Sequence, residues 1–560
     1  MERKIPFAKH CFLAACALLP ALLLASGGPS ADELSAAVAA DLLTPVRPGG
    51  DGRPFWNRRS VQFILPPAFE FAAVKGAVKY RFTVTDDVLR DHVFEAGKPT
   101  ADLSSVWRDV PVGFVRVSAE GVDAAGRDCG LSGTRRFWKA APFEPGLVPE
   151  APWSYAEGAR RHLENLYVQP NTVSFREKGR PDGVTPLMNV YPSKMNSALI
   201  RCMLMYARIC PDRRDEAIRT ARNVADYMLS VSEPADAPLA FFPPTYRRCP
   251  EIKNFKSAAD KYEGQVMLIY PAWVAGAYLE LYQVLKDRKY LDAALGIAAT
   301  YERLQLPEGT WFVKMHTKDG TPVVEGNGSE PVRIIPTDIC QFFDQLADLT
   351  GERRWRAIAD RCVGFFDSHP LQTWDWAAQF EDVEPSARYR NLSEDMACDV
   401  ALILLDRSSG DPKRVEQARE ILRWAEDQFV FWRRPCRADL KGMLSEKENG
   451  FEPVWNFNEW IDVPSAAEQY MWYVAINSKT AKLMRLFLRL YQVEHKPLDL
   501  AKARALGNGI LTVQKMHGTG EIPTHFQKSC IGDLKCIHNW TNCGMFTVIG
   551  LNELSAEVEK

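Results

Sequence analysis

A chain of 560 residues that is 46% hydrophobic and 25% charged has apolar material for more than one packed core. Its formal net charge of −2 argues against a nucleic-acid binder, which needs clustered positive charge. A few arginines gathered in a cleft still suffice for an acidic saccharide, and beyond the N-terminus no uncharged run is long enough to predict a membrane span.

Arg3, Lys4 and Lys9 precede an apolar run from Cys11 to Ala25, and Ala25-Ser26-Gly27 offers small residues for cleavage. Residues 1–27 are therefore predicted to be an export signal, and the mature protein to be periplasmic or secreted. "LAAC", ending at Cys16, resembles a lipoprotein processing site. The apolar run continues past it, so lipid anchoring is the weaker expectation. Cleavage leaves eleven of the 13 cysteines, with no CxxC pair. Cys530, Cys536 and Cys543 crowd the C-terminus and allow a disulfide in an oxidising compartment.

Residues 28–54 are an Ala-rich segment and a linker that closes in "PVRPGGDGRP". Within 55–143, "VKYRFTVT", "VGFVRVSAEG" and "SGTRRFWKA" alternate apolar and polar residues, which predicts short strands and a small β-sandwich with Trp107 in its core. "PFEPGLVPEAPW" then opens a second domain, residues 150–560, with helical periodicity. There an apolar helix, a polar turn and an Ala-spaced second helix recur. The turns near Asp212, Asp287, Gly351, Asp411 and Lys496 lie 60 to 85 residues apart. A helical hairpin cannot bury its apolar face alone, so such units must stack. Units this long, with long inserts opposite the short turns, predict a mainly α chain built as an (α/α) toroid, incomplete or closed, with function on the long-loop face.

Four segments on that face are too rich in aromatics, amides and charges to be plain connectors. "NVYPSKMNSAL" carries Tyr191 and Lys194, and "FFPPTYRRCP" with "DKYEGQ" carries Arg247, Tyr262, Glu263 and Gln265. "TWFVKMHTKDG" with "TWDWAAQFEDVEPSARYRN" brings His316, Trp374, Trp376, Gln379, Glu381, Asp382, Arg388, Tyr389 and Asn391. "PVWNFNEWIDVPSAAEQY" adds Trp455, Asn456, Glu459, Trp460, Glu468 and Gln469, and a C-terminal echo adds His525, His538 and Trp540. Flat aromatic faces cover the C–H groups of sugars while amides and charges pair with hydroxyls, so the set predicts a glycan cleft. Singly, each tryptophan is as readily a packing residue between helices.

Paired carboxylates drawn from Glu263, Glu381, Asp382 and Glu459 would serve glycoside hydrolysis. β-Elimination at a uronic acid instead needs a base for the proton beside the carboxylate and an acid for the leaving oxygen. It also needs a group that neutralises the carboxylate. Tyr389 as base or acid and Arg388 or Arg390 as neutraliser, with His316 and Asn391, supply those types. His525 and His538 stand in no HxH or HExxH pattern, so no metal and no cofactor is expected, with a charge-neutralising divalent cation as the alternative.

"VWRDVPVGFVRVSAEGVDAAG" resembles the fibronectin-III-like modules that precede catalytic domains in bacterial polysaccharide-degrading enzymes. Together with the export signal, the hairpin repeat and the Trp/Tyr-rich loops, the chain resembles polysaccharide lyases and glycosidases of the α/α-toroid superfamily. The resemblance implies a lyase on a uronic polymer such as alginate or glucuronan. A hydrolase on the same scaffold and a non-catalytic glycan-binding protein are the competing expectations. In such lyases a Tyr, a His and a carboxylate-neutralising Arg or Asn carry the chemistry, and Tyr389, His316, Arg388 and Asn391 match by type.

Overall fold

The computed structural model describes residues 31–46, 59–249, 252, 259–324, 330–381, 388–434, 459–532 and 540–559. The export signal expected at 1–27 lies outside the described residues.

Seven strands come first: Gln62–Phe63 (β1), Ala68–Glu70 (β2), Lys79–Thr85 (β3), Asp91–Ala96 (β4), Thr100–Asp102 (β5), Gly113–Val122 (β6) and Asp128–Lys139 (β7). β3 buries every second residue, as its alternating sequence requires. A five-stranded sheet runs β1-β7-β6-β3-β4, antiparallel except where β1 lies beside β7. β2 and β5 form a separate antiparallel pair. Phe63, Phe69, Phe82, Trp107 and Phe137 share one core between them. The second layer expected of a sandwich is therefore short, consisting of the β2–β5 pair and the helical turn Ser104–Trp107. Trp107 is buried, donates its indole N–H to the Ile64 carbonyl at 3.0 Å, and carries Lys139 over its ring.

Among the described residues, twelve long helices follow the strands: Tyr155–Val168 (α1), Pro192–Ile209 (α2), Arg214–Val231 (α3), Tyr270–Leu285 (α4), Arg288–Leu304 (α5), Thr337–Thr350 (α6), Arg353–Ser368 (α7), Glu394–Arg407 (α8), Pro412–Phe429 (α9), Asn477–Glu494 (α10), Pro497–His517 (α11) and Thr541–Val558 (α12). The even-numbered helices pack side by side, α2-α4-α6-α8-α10-α12, and α12 returns to α2. That ring is closed. Each odd-numbered helix lies outside its partner, and the last inner helix, α12, takes the first outer helix, α1. The fit there is tight, because a side chain at Gly544 of α12 would run into the His162 ring on α1.

The sequence explains the two rings. α8 buries all but its last turn, so it needs neighbours on every side, whereas α7 has a single apolar stripe and faces water with the rest. Short turns link each inner helix except α12 to its outer partner. Lys286, Gly351 and His495 end α4, α6 and α10 at φ of 58°, 73° and 55°. Asp287 and Asp411 cap the starts of α5 and α9. The five turns expected near Asp212, Asp287, Gly351, Asp411 and Lys496 all fall at these inner-to-outer links.

The strands and the helical ring meet at the end of α9. The Asp427 carboxylate accepts the backbone N–H groups of Ile64 and Leu65, both at 2.7 Å, and the Gln428 amide donates to the Gln62 carbonyl at 2.9 Å. No helix among the described residues is long and apolar enough to cross a membrane.

Candidate functional site

Each inner helix starts where a long connection ends, so the first turns of all six share one face. A cavity of about 690 Å³ lies at that face. Its wall takes Lys194 from α2, Tyr270 and Trp273 from α4, Asp395 from α8, Lys479 from α10, and Asn542 and Cys543 from α12. The long connections supply Gln379, Glu381, Arg390, Asn391, Glu468, Trp472, His525 and Trp540.

Two buried ion pairs organise the wall. Lys194 Nζ meets Glu381 Oε1 at 2.6 Å, and the Tyr270 hydroxyl donates to Glu381 Oε2 at 2.5 Å. Burial would raise the Glu381 carboxyl, but the charge of Lys194 and the hydrogen bonds from Lys194 and Tyr270 outweigh it and hold the group below the usual carboxylate range. Lys194 also sits 4.0 Å from the centre of the Trp540 ring. Across the cavity, Lys479 Nζ lies 2.5 Å and Lys482 Nζ 2.7 Å from Asp395 Oδ1. Here too burial acts upward, and the two lysines overcome it, so Asp395 stays ionised. Beneath them Lys482 also holds Asp399, at 2.5 Å.

Cys543 is no nucleophile, because burial pushes its thiol up to about 11. Arg390 is different from the other cations. Its Nε is buried with no acceptor, and no ion pair engages it among the described residues. Among the described residues no group of three or more His, Cys, Asp or Glu is arranged to hold a metal ion.

Five of the residues singled out from sequence line this cavity: Lys194, Gln379, Glu381, Asn391 and Trp540. Two of them serve the frame, since Gln379 spans the Ile335 N–H and the Arg333 carbonyl, and Asn391 joins Gln469 to the Met471 N–H. Tyr191 stands one layer back, against Trp540 with ring centres 5.5 Å apart.

The remaining described candidates lie elsewhere. Tyr389 donates its hydroxyl to the Thr373 carbonyl at 2.8 Å, and Arg388 is exposed beside Asp375, so neither reaches the cavity wall. His316 pairs with Gln265 in a small two-stranded sheet (Gln265–Met267 with Lys314–His316), where Tyr262 is buried under Lys314 and Glu263 faces solvent. Arg247 is exposed and bonded to the Tyr227 hydroxyl. Trp374 and Trp376 pack with Trp424 in the core, and Trp460 is buried against Phe431 beside the partly covered Glu459. These positions follow from apolar bulk, which packing claims before a ligand can. Asp382, Trp455, Asn456 and His538 lie outside the described residues.

Tyr270, Trp273, Asp395, Lys479 and Trp472 were not picked out from sequence, Arg390 was named only as the alternative to Arg388, and Glu468, Gln469 and His525 were seen only as companions. A signal existed. Lys194, Asp395, Asp399, Lys479 and Lys482 are charges set among the buried positions of their helices.

No protein-family model matches the chain. No curated protein matches it in sequence. Among solved structures it is similar to a cellobiose 2-epimerase from Spirochaeta thermophila, at 14% identity over 68% of this chain and 89% of that one, with a TM-score of 0.46. It is also similar to a family 76 glycoside hydrolase from a bovine Bacteroides thetaiotaomicron strain, at 11% identity, 91% and 100% coverage and a TM-score of 0.41. A polysaccharide lyase gives 9% identity, 88% and 65% coverage and a TM-score of 0.40. These neighbours are carbohydrate-processing enzymes of several kinds.

Proposed function

We propose that the protein is an exported, carbohydrate-active enzyme that cleaves a uronic-acid-containing oligo- or polysaccharide by β-elimination, without a cofactor. The observation that carries this reading is the state of the cavity carboxylates beside Arg390. Glu381 and Asp395 are clamped by lysines and kept ionised, so neither offers the proton that a glycosidase acid must supply. Arg390 has charge to spare for a carboxylate brought by the substrate.

In this scheme Arg390 pairs with the uronate carboxylate and stabilises the enediolate that forms as the neighbouring C5 proton departs. Tyr270 takes that proton as its own passes along the 2.5 Å bond to Glu381. His525 protonates the leaving oxygen at C4, and a C4–C5 double bond remains. The roles that sequence gave Tyr389, Arg388 and His316 pass to Tyr270, Arg390 and His525, which share the cavity. A second reading, hydrolysis, rests on Glu468, a further carboxylate in the cavity wall.

The test is to incubate the protein with a panel of uronic polymers, following ultraviolet absorbance of the new double bond alongside reducing ends. Both signals rising supports elimination. Reducing ends alone indicate a hydrolase, and binding with neither signal leaves a glycan-binding protein.

A further inference from the structure

Of the tryptophans among the described residues, Trp472 alone is exposed, at 42%, and Met471 beside it is 37% exposed. Together they show an apolar patch at the cavity rim, and a contiguous exposed patch of that kind marks a binding surface. The loop that carries it is not slack. Glu468 N–H donates to the Val474 carbonyl at 3.0 Å, closing the loop on itself, and Ala467 bridges Ala475. The Tyr470 N–H bonds the Leu392 carbonyl and the Met471 N–H bonds Asn391 Oδ1, both at 2.9 Å. Beneath, Tyr470 and Tyr473 donate their hydroxyls to the side chain and backbone of Gln428, at 2.7 and 2.6 Å. Gln428 is the residue that grips β1 of the N-terminal domain. Two buried tyrosines and the small domain thus fix a loop whose tip shows an indole to solvent at the cavity.

We propose that Trp472 is a pyranose-stacking subsite at the cavity mouth, binding the sugar next to those inside. The inference rests on the glycan reading above and adds a place and a residue to it. An indole face is matched to the C–H face of a pyranose ring, and stacking of that kind requires no charge on the sugar. Arg390 selects the acid inside the cavity, and Trp472 holds the chain that continues out of it. The N-terminal domain, on this view, serves the site by bracing the loop.

The experiment is calorimetric titration of wild type, Trp472→Ala and Trp472→Phe with neutral and uronic oligosaccharides from disaccharide to hexasaccharide, with thermal unfolding measured for each variant. Trp472→Ala should bind the hexasaccharide about tenfold more weakly, the scale of one lost aromatic contact. It should bind the disaccharide unchanged and unfold at the wild-type temperature, and Trp472→Phe should regain most of the affinity. Wild-type affinity for the hexasaccharide in Trp472→Ala, or one uniform loss at every length, overturns the proposal. Trp472-dependent binding without preference for uronic sugars leaves the subsite standing and overturns the uronate reading instead.

Discussion

Lys194, from the first turn of α2, meets Glu381, from the connection that follows α7, at 2.6 Å with both side chains nearly excluded from water. The pair joins two hairpins that are not neighbours in sequence, and Tyr270 of α4 adds a third point of attachment. Removing one partner leaves a buried charge uncompensated. Glu381→Leu or Lys194→Met should therefore each cost about 3–5 kcal/mol, and the double variant should recover much of that loss. Denaturant unfolding of the three variants measures it.

Tyr270 and Tyr389 give opposite expectations in the same assay. Tyr270→Phe removes the hydroxyl that faces the cavity and should lower kcat by about 10²–10⁴, the range for a general acid–base group. Tyr389→Phe breaks a bond to the Thr373 carbonyl away from the cavity and should leave kcat near wild type. Equal losses in the two variants would mean that the cavity is not where the reaction occurs.

Stability should respond to pH through Asp338, in the first turn of α6. Burial and the neighbouring carboxylates Asp399 and Asp395 push it up to about 7, against the pull of Lys482. Its unfolded value lies near the ordinary ~4 for aspartate. Between those values the native state holds a proton that the unfolded chain has released. The contribution of Asp338 to stability is therefore best below ~4 and falls as pH rises to about 7. Asp338→Asn should gain in unfolding temperature relative to wild type as pH goes from 5 to 8, as thermal scans across that range (roughly the span in which the group titrates) would show.

Trp376 is fully buried among Trp374 and Trp424, so it acts through packing. Trp376→Ala should destabilise the fold by about 3–5 kcal/mol, the usual cost of an emptied tryptophan site in a core. At temperatures where the variant remains folded, its affinity for oligosaccharides should match wild type. Titration calorimetry beside a denaturation curve separates the two effects.

The helical ring was legible because its signal is local. Apolar spacing, polar turns and caps such as Asp287 and Asp411 are each written within a few residues, and the five short turns fall where that grammar sets them. The β-region was legible for the same reason, as "VKYRFTVT" shows by burying alternate side chains. The cavity was only partly so. Its wall is assembled from five helix starts far apart in sequence, and at a helix start a Tyr270 or a Trp273 looks like any core aromatic. Loops rich in tryptophan drew attention instead, yet Trp374, Trp376 and Trp460 proved to be packing residues. The stronger clue lay in charges that interrupt apolar inner helices. Asp395 and Asp399 are one turn apart on α8, Lys479 and Lys482 one turn apart on α10, and burial forces such charges to find each other.

Because α12 seats itself against α1 and α2, the ring's final segment is supplied by residues far along the chain from those neighbours. Until they arrive, two apolar flanks stay open and the hollow has a missing wall, since Asn542, Cys543 and Phe546 belong to that helix. Assembly must wait on contacts between the first and last helices of the ring, which makes closure slow relative to formation of the individual hairpins. No single hairpin owns the chamber, which exists only once that seam has shut.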